Sequence, residues 1–235
     1  MTVDLSAVDL VDLPMALAEV RRGTPTGTEC TVRLAGNDDD SGRLPTVIDA
    51  AAFDLLELDD GLARMRARRG LPDHVGPDMR LLSVGLNPSL HSADAGIGYV
   101  MGSNRYWKAM LAAGLATVDR DPVHLYRHHR IGMTDLVKRP TPRADEVSKA
   151  EFAEGVERLE ALCEWLEPGA LAIVGLAGWR AGRDRKATAG WQPEPLADTP
   201  VYVLPSTSGL NATTSLAQLA DHLRAAAAGP DHLRP

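Results

Sequence analysis

Arg80-Leu81-Leu82-Ser83-Val84-Gly85-Leu86-Asn87-Pro88-Ser89-Leu90 decides the fold class. Its first half is short and almost wholly apolar, the composition of a strand buried on both faces. Its second half turns polar at Asn87-Pro88, where a strand-end loop belongs. A strand buried on both sides needs helices on both sides of its sheet. The same rhythm recurs downstream, with further apolar runs at 131–136, 170–176 and Val201–Leu204. Between them lie helical patterns at 103–113, 148–166, 177–183 and 213–228. Ser103 is read as the cap of the first, and Ser148 with Glu151 three residues on as the capping box of the second. Strands alternating with helices predict an α/β fold, a three-layer α/β/α sandwich around a four-stranded, mainly parallel sheet. In such sheets ligands gather at the carboxyl ends of the strands. Two loops occupy that place: Gly85-Leu86-Asn87-Pro88-Ser89-Leu90, and Pro205-Ser206-Thr207-Ser208-Gly209-Leu210-Asn211 after Val201–Leu204.

Upstream the pattern is weaker. A short helix interrupted at Pro14 is expected over 8–20, with turns at 24–27 and 37–42 and short strands at 30–34 and 46–48. Phe53, Leu56, Leu62 and Met65 are spaced as on a helix over 53–69, which would end at Gly70 after a basic last turn. Residues 71–77 read as a linker. The division expected is an acidic N-terminal extension at 1–78, a catalytic domain at 79–228 and a tail at 229–235.

At 235 residues the chain has enough length for one good-sized core with an appendage. No apolar stretch nears the roughly 18 residues that span a bilayer, and the N-terminus lacks a signal-peptide pattern, so a cytoplasmic protein without a membrane partner is expected; the expected state is a monomer. Cys30 and Cys163 fit no metal spacing and are read as reduced residues; two cysteines exclude a four-thiolate iron–sulfur cluster. The net charge of −7 sits wholly in residues 1–78, which hold 15 acidic and 8 basic residues. Residues 79–143 hold nine Lys or Arg against four Asp or Glu, a local surplus that a DNA backbone would accept.

The two loops carry specific chemistry. An amide at Asn87 is no strong base, but it can orient a water and contact a base edge. That suits hydrolysis of a bond to a leaving group that departs as a stabilised anion. The plainer alternative is a turn asparagine bonded to its own backbone. Tyr99, after Ala95-Gly96-Ile97-Gly98, offers a ring for stacking on a planar base, or else a core aromatic. Leu210 behind Ser208-Gly209 offers a wedge to fill the gap left by a flipped nucleotide, or else a hydrophobic anchor. Ser206, Thr207 and Ser208 offer hydroxyls to phosphate. Tyr106 and Trp107 are read as packing residues, His91 as a group near the Asn87 loop. His124, His128 and His129 are read as surface residues without a metal.

These segments, taken in order, resemble the mismatch-specific uracil-DNA glycosylases, relatives of thymine-DNA glycosylase in the uracil-DNA glycosylase superfamily. The similarity covers about 81–224 and includes Gly85-Leu86-Asn87-Pro88, Ser103-Asn104-Arg105-Tyr106-Trp107-Lys108, Gly132-Met133-Thr134-Asp135-Leu136-Val137-Lys138-Arg139-Pro140-Thr141, Glu146-Val147-Ser148-Lys149 and Leu204-Pro205-Ser206-Thr207-Ser208-Gly209-Leu210. The resemblance implies that Asn87 positions the attacking water, that Leu86, Ser92 and Tyr99 bind the flipped nucleotide, and that Ser206, Ser208, Gly209 and Leu210 contact double-stranded DNA, Leu210 as wedge. It implies a monofunctional reaction with no cofactor, metal or lysine nucleophile, removing uracil, most often opposite guanine. Three departures stand out. Ser89 replaces a glycine, Asp135 replaces a lysine or asparagine, and Asn211-Ala212 replaces a Ser-Arg pair. They put opposite-base preference in question; Asp135 and Ala212 leave open a non-catalytic damage-sensing member, and Asn87, which alone does not fix the leaving base, leaves open a hypoxanthine or other lesion-specific glycosylase.

Overall fold

The computed structural model describes residues 2–35 and 42–230. The N-terminal part builds its own four-stranded sheet. Strands β1 (Thr2–Leu5), β2 (Glu29–Leu34), β3 (Phe53–Asp59) and β4 (Leu62–Ala67) lie in the order β1-β2-β4-β3, with helices α1 (Leu13–Gly23) and α2 (Leu44–Ala50) packed on it. The expected helix over 53–69 is therefore a hairpin. Asp60 and Gly61 turn it with φ of 44° and 71°, the geometry of a two-residue turn that Asp-Gly favours. Ala63, Met65 and Ala67 point inward while Arg64 and Arg66 point out, a two-residue period beneath the helical spacing. The strand expected at 46–48 is instead inside α2. Pro45 sits in its first turn, where a missing N–H costs nothing, and Val47 and Ile48 gain burial that outweighs their β preference. Likewise Pro14 starts α1 rather than interrupting it. The strand at 30–34 is present as β2. Of the turn expected at 37–42, only Gly42 lies among the described residues.

The larger sheet follows the order β6-β5-β7-β9-β8. Its elements are β5 (Leu81–Gly85), α3 (Leu90–Ala95), α4 (Tyr106–Ala113), α5 (Pro122–His129), β6 (Ile131–Asp135), α6 (Lys149–Leu166), β7 (Leu171–Val174), α7 (Leu176–Gly182), β8 (Gly190–Trp191), β9 (Val201–Leu204) and α8 (Leu216–Ala228). The four expected strands pair in parallel, and β8 adds a fifth, antiparallel to β9 at the edge. Leu82, Val84, Ile173 and Val203 face a core closed by α6 and α7. Leu81, Ile131, Ala172 and Leu204 face one closed by α4, α5 and α8. Each leucine or isoleucine taken wholly from water there contributes about 1.5–3 kcal/mol, so the three layers hold one another. The capping box of Ser148 and Glu151 opens α6 as read. Ser103 does not cap α4; the helix starts at Tyr106, whose N–H donates to Asn104 Oδ1 at 2.9 Å.

From β5 the chain passes to β6 on one side and then crosses to β7 on the other. Strand order therefore reverses at β5, which opens a crevice at its carboxyl end. The stretch expected as a linker is pinned beside β6. His74 exchanges backbone hydrogen bonds with Met133, both 2.9 Å. Asp73, 2% exposed, receives Lys138 Nζ at 2.5 Å, Arg158 Nη1 at 3.1 Å and the Thr134 hydroxyl at 2.6 Å. Burial alone would raise the Asp73 carboxyl, but Lys138 and Arg158 overcome it and hold it below the ordinary carboxylate value. Burial holds the His74 imidazole down at about 4, so it is neutral at physiological pH. Cys30 and Cys163 are both buried free thiols, in different cores.

Candidate active site

The crevice at the end of β5 is a cleft of about 260 Å³. Leu86 and Asn87 reach it from the loop after β5, Ser92 from α3, and Tyr99 from the segment before α4. Ser206, Ser208 and Gly209 close it from the loop after β9. Seven of the eight site residues expected from sequence thus line one cleft. The eighth, Leu210, stands outside its wall at the rim, 96% exposed. A larger cavity of about 420 Å³ lies between α2 and α6, but none of these residues reaches it. The strand-end position and polar lining, rather than volume, identify the smaller cleft as the candidate site.

Asn87 is held from one side only. Its Nδ2 donates to Thr141 Oγ1 at 2.7 Å, Arg139 O at 3.2 Å and Pro88 O at 3.3 Å. Carbonyl oxygens only accept, so the amide nitrogen must face them. Among the described residues, Oδ1 accepts no hydrogen bond, and it is the atom left to receive a water. Thr141, 2% exposed, is locked in turn: its N–H donates to Pro88 O at 3.1 Å and its hydroxyl to Arg143 O at 2.7 Å. The loops after β5 and β6 therefore orient Asn87 together, unlike a turn asparagine bonded only to its own backbone.

Asp135, which in sequence is only a departure from the family pattern, is a site residue of the fold. It ends β6, is 6% exposed and lines the cleft. Its carboxyl oxygens accept no hydrogen bond from the described residues. A Cβ on Gly85 would overlap Asp135 Oδ1 and stand 2.9 Å from the Tyr99 hydroxyl, so glycine is what admits both groups to the strand end. Burial pushes the Asp135 carboxyl up to about 6; Lys138 opposes the rise and Asp73 adds to it. An ionised carboxylate in the same cleft as an amide with a free acceptor can take a proton from a water that reaches both groups. The signal available in sequence was its place at the carboxyl end of a parallel strand.

Tyr99 adopts φ of 57° and stacks on Tyr106 with ring centroids 4.1 Å apart. Burial first, then Asp135 and Tyr106, push its hydroxyl well above the ordinary phenol value, so it stays neutral. Tyr106 and Trp107 are fully buried, as read, and Trp107 Nε1 donates to Gly98 O at 2.8 Å. Ser89 caps α3: its Oγ accepts from the Ser92 N–H and donates to Ser92 Oγ, both at 3.1 Å. It supports Ser92 in the pocket floor. His91 is exposed and lies outside the cleft wall. His124, His128 and His129 lie on α5, and no metal-binding group exists among the described residues.

The loop after β9 is held by its own small residues. Ser208 N–H donates to Ser206 Oγ at 3.2 Å, and Leu210 N–H to Ser208 Oγ at 3.3 Å. These bonds engage both serine hydroxyls locally and fix the backbone beneath Leu210. The basic surplus over 79–143 is partly paired within the chain, Lys138 with Asp73 in the interior and Arg139 with Glu151, Arg143 with Asp145 and Arg127 with Glu19 at the surface. The molecule thus combines a mainly parallel sheet with reversed strand order, a cleft with an oriented amide and a raised carboxyl, and an exposed leucine at the rim. The sequence model of the uracil DNA glycosylase superfamily matches residues 72–228, about two-thirds of the chain and the whole of the larger sheet. On that match, and on a fold that agrees with it, the chain belongs to the uracil DNA glycosylase superfamily, whose membership supports a DNA glycosylase hydrolase acting in base-excision repair.

Proposed function

We propose that the protein is a monofunctional glycosylase of the mismatch-specific type, which flips uracil out of double-stranded DNA, most often opposite guanine, and hydrolyses its N-glycosidic bond. The observation that carries this reading is the fixed orientation of Asn87, with Nδ2 tied to two carbonyls and Oδ1 left as an acceptor in the cleft. Asn87 Oδ1 holds the water. As the bond from C1′ to the base breaks, its electron pair leaves with the base. The water oxygen bonds to C1′, and its proton passes to Asp135, ionised above a pKa of about 6. The products are the free base and an abasic site. Tyr99 flanks the base, Leu86 adjoins it from the loop after β5 with its side chain packed against Gly175 and Gly178, Ser92 lies below it, and Ser206, Ser208 and Gly209 meet the phosphate backbone. Leu210 occupies the gap in the stack, offsetting part of the few kcal/mol that flipping costs.

In this reading residues 79–228 carry the chemistry and residues 1–78 form an acidic N-terminal extension; of the tail expected at 229–235, residues 231–235 lie outside the described residues. The enzyme works as a monomer in the cytoplasm with no cofactor. A second reading is release of hypoxanthine, because Asn87 alone does not fix the leaving base and the acceptor at Asp135 suits hypoxanthine N1–H as well as uracil N3–H. A panel of uracil, thymine, ethenocytosine and hypoxanthine in duplex and single-stranded DNA, scored for abasic sites, tests both. Fastest release of uracil opposite guanine supports the first reading. Preference for hypoxanthine supports the second, and binding without any abasic product at excess protein overturns both.

A further inference from the structure

Arg105 lies between α4 and the loop that presents Leu210. Its backbone N–H donates to Thr207 O at 2.9 Å. Its guanidinium donates through Nη1 to Thr214 O at 2.5 Å, and through Nη2 to Asn211 O at 2.6 Å and Ser208 O at 3.3 Å. Three carbonyls of one short loop thus converge on one planar cation, and no carboxylate among the described residues pairs with it. Asn211 braces the same loop from within. Its Nδ2 donates to Ser206 O at 2.7 Å and Thr214 Oγ1 at 3.2 Å, while its Oδ1 accepts from Thr213 N at 3.1 Å and Thr213 Oγ1 at 2.8 Å. The loop also rests on the approach to α4, since a Cβ at Gly209 would stand 2.8 Å from Ser103 O.

An apolar side chain left in water is normally drawn onto the nearest apolar surface. Leu210 is instead 96% exposed on a backbone fixed at both ends. Holding it out in advance removes the ordering cost that a loose loop would meet on binding. The planar, multiply donating guanidinium suits three carbonyls converging from separate points of the loop in a way a lysine ammonium cannot match. We infer that Arg105 is a positioning residue that holds the Leu210 loop in its projecting form before DNA arrives. This inference rests on the glycosylase reading only in taking flipped DNA as the substrate. It also gives Asn211, one of the family departures, a role in closing the same loop.

The test compares duplex and single-stranded uracil DNA under single-turnover conditions for the wild type, Arg105→Met, Arg105→Lys, Leu210→Ala and the Arg105→Met/Leu210→Ala double variant. A second readout is the fluorescence of 2-aminopurine beside the lesion, which reports unstacking whether or not the base is released. Arg105→Met is expected to lower the duplex-to-single-strand rate ratio about tenfold, with Arg105→Lys between it and wild type. In the Leu210→Ala background it should add less than about twofold, because both act through one wedge. The binding-induced fluorescence should fall in Arg105→Met as it does in Leu210→Ala. Equal losses on both substrates, full additivity in the double variant, or undiminished fluorescence would each overturn the inference. If Arg105→Met does not fold, Asn211→Ala loosens the same loop with the guanidinium intact and is held to the same outcomes. A wild type that unstacks DNA without releasing a base would defeat the glycosylase reading while leaving the fluorescence test of Arg105 in force.

Discussion

Replacing Asp135 by asparagine should stabilise the protein and disable it together. In the fold its carboxyl titrates at about 6 rather than the ordinary 3.8, because burial disfavours its charge. The folded state therefore holds this proton more tightly than the unfolded chain does. Below pH 4 the group is neutral in both states and carries no charge penalty. As pH rises through about 6 the folded protein must ionise a buried group, and stability is lost. That difference in proton affinity corresponds to about 3 kcal/mol above that range. The substituted amide needs no ionisation, although without hydrogen-bond partners it gives back about 1 kcal/mol. The net gain for Asp135→Asn is about 2 kcal/mol at pH 8, shrinking to nothing or slightly below by pH 4. In a chain of this length that is a rise in melting temperature on the order of 4–8 °C. Urea unfolding at pH 8 and pH 4 reads it directly. Base release should fall at least about 100-fold in the same variant, since the proton acceptor is gone. Wild-type release should rise with pH through about 6 as the acceptor ionises. An unchanged urea midpoint at pH 8 would refute the burial argument. Release that falls as pH rises through 6 would refute the proton-acceptor role and favour a protonated Asp135 donating to the base.

Three other outcomes follow from named contacts. Gly85→Ala puts a methyl group where Asp135 Oδ1 sits, so it should cut base release at least tenfold although Asn87 is untouched; normal turnover would mean that the carboxyl is not needed there. Leu210→Ala should slow excision from duplex DNA more than from single strands, as both rates measured side by side will show, and equal slowing would count against a wedge. Asp73→Asn strands Lys138 and Arg158 without their buried counter-charge and should cost about 3–5 kcal/mol in urea unfolding, whereas an unchanged midpoint would show that the pair is solvated.

Three strands of the larger sheet were readable because β5, β7 and β9 are short, mainly apolar runs that stop at Gly or Pro, a pattern with few competing solutions, while the two-residue β8 is too short to leave one. The N-terminal sheet was harder for a physical reason. The stretch from Phe53 to Arg69 carries apolar residues at helical spacing and also alternates from Leu62 onward, and only Asp60-Gly61 separates the two interpretations. Val47 and Ile48 show tertiary burial overriding local preference in the opposite direction. At the site, the placement of Asn87 and Tyr99 in one cleft with Leu210 at its rim was legible from single positions, whereas Ser92 came only from the family resemblance. Contacts between distant segments were not legible. The brace of Thr141 on Asn87, the space at Gly85 for Asp135, and the grip of Arg105 on the Leu210 loop each join residues more than 45 positions apart. No local pattern encodes them, although a buried acid at a strand end was a clue within reach.

The most direct test of the central claim is single-turnover release of uracil from a duplex with one uracil–guanine pair, comparing wild type with Asn87→Ala at equal DNA occupancy. The account expects alkali-labile abasic sites from the wild type. It expects a loss of at least about 100-fold in Asn87→Ala, with DNA affinity changed only a few-fold, because Oδ1 holds the water and not the backbone. Release by Asn87→Ala at the wild-type rate would contradict it.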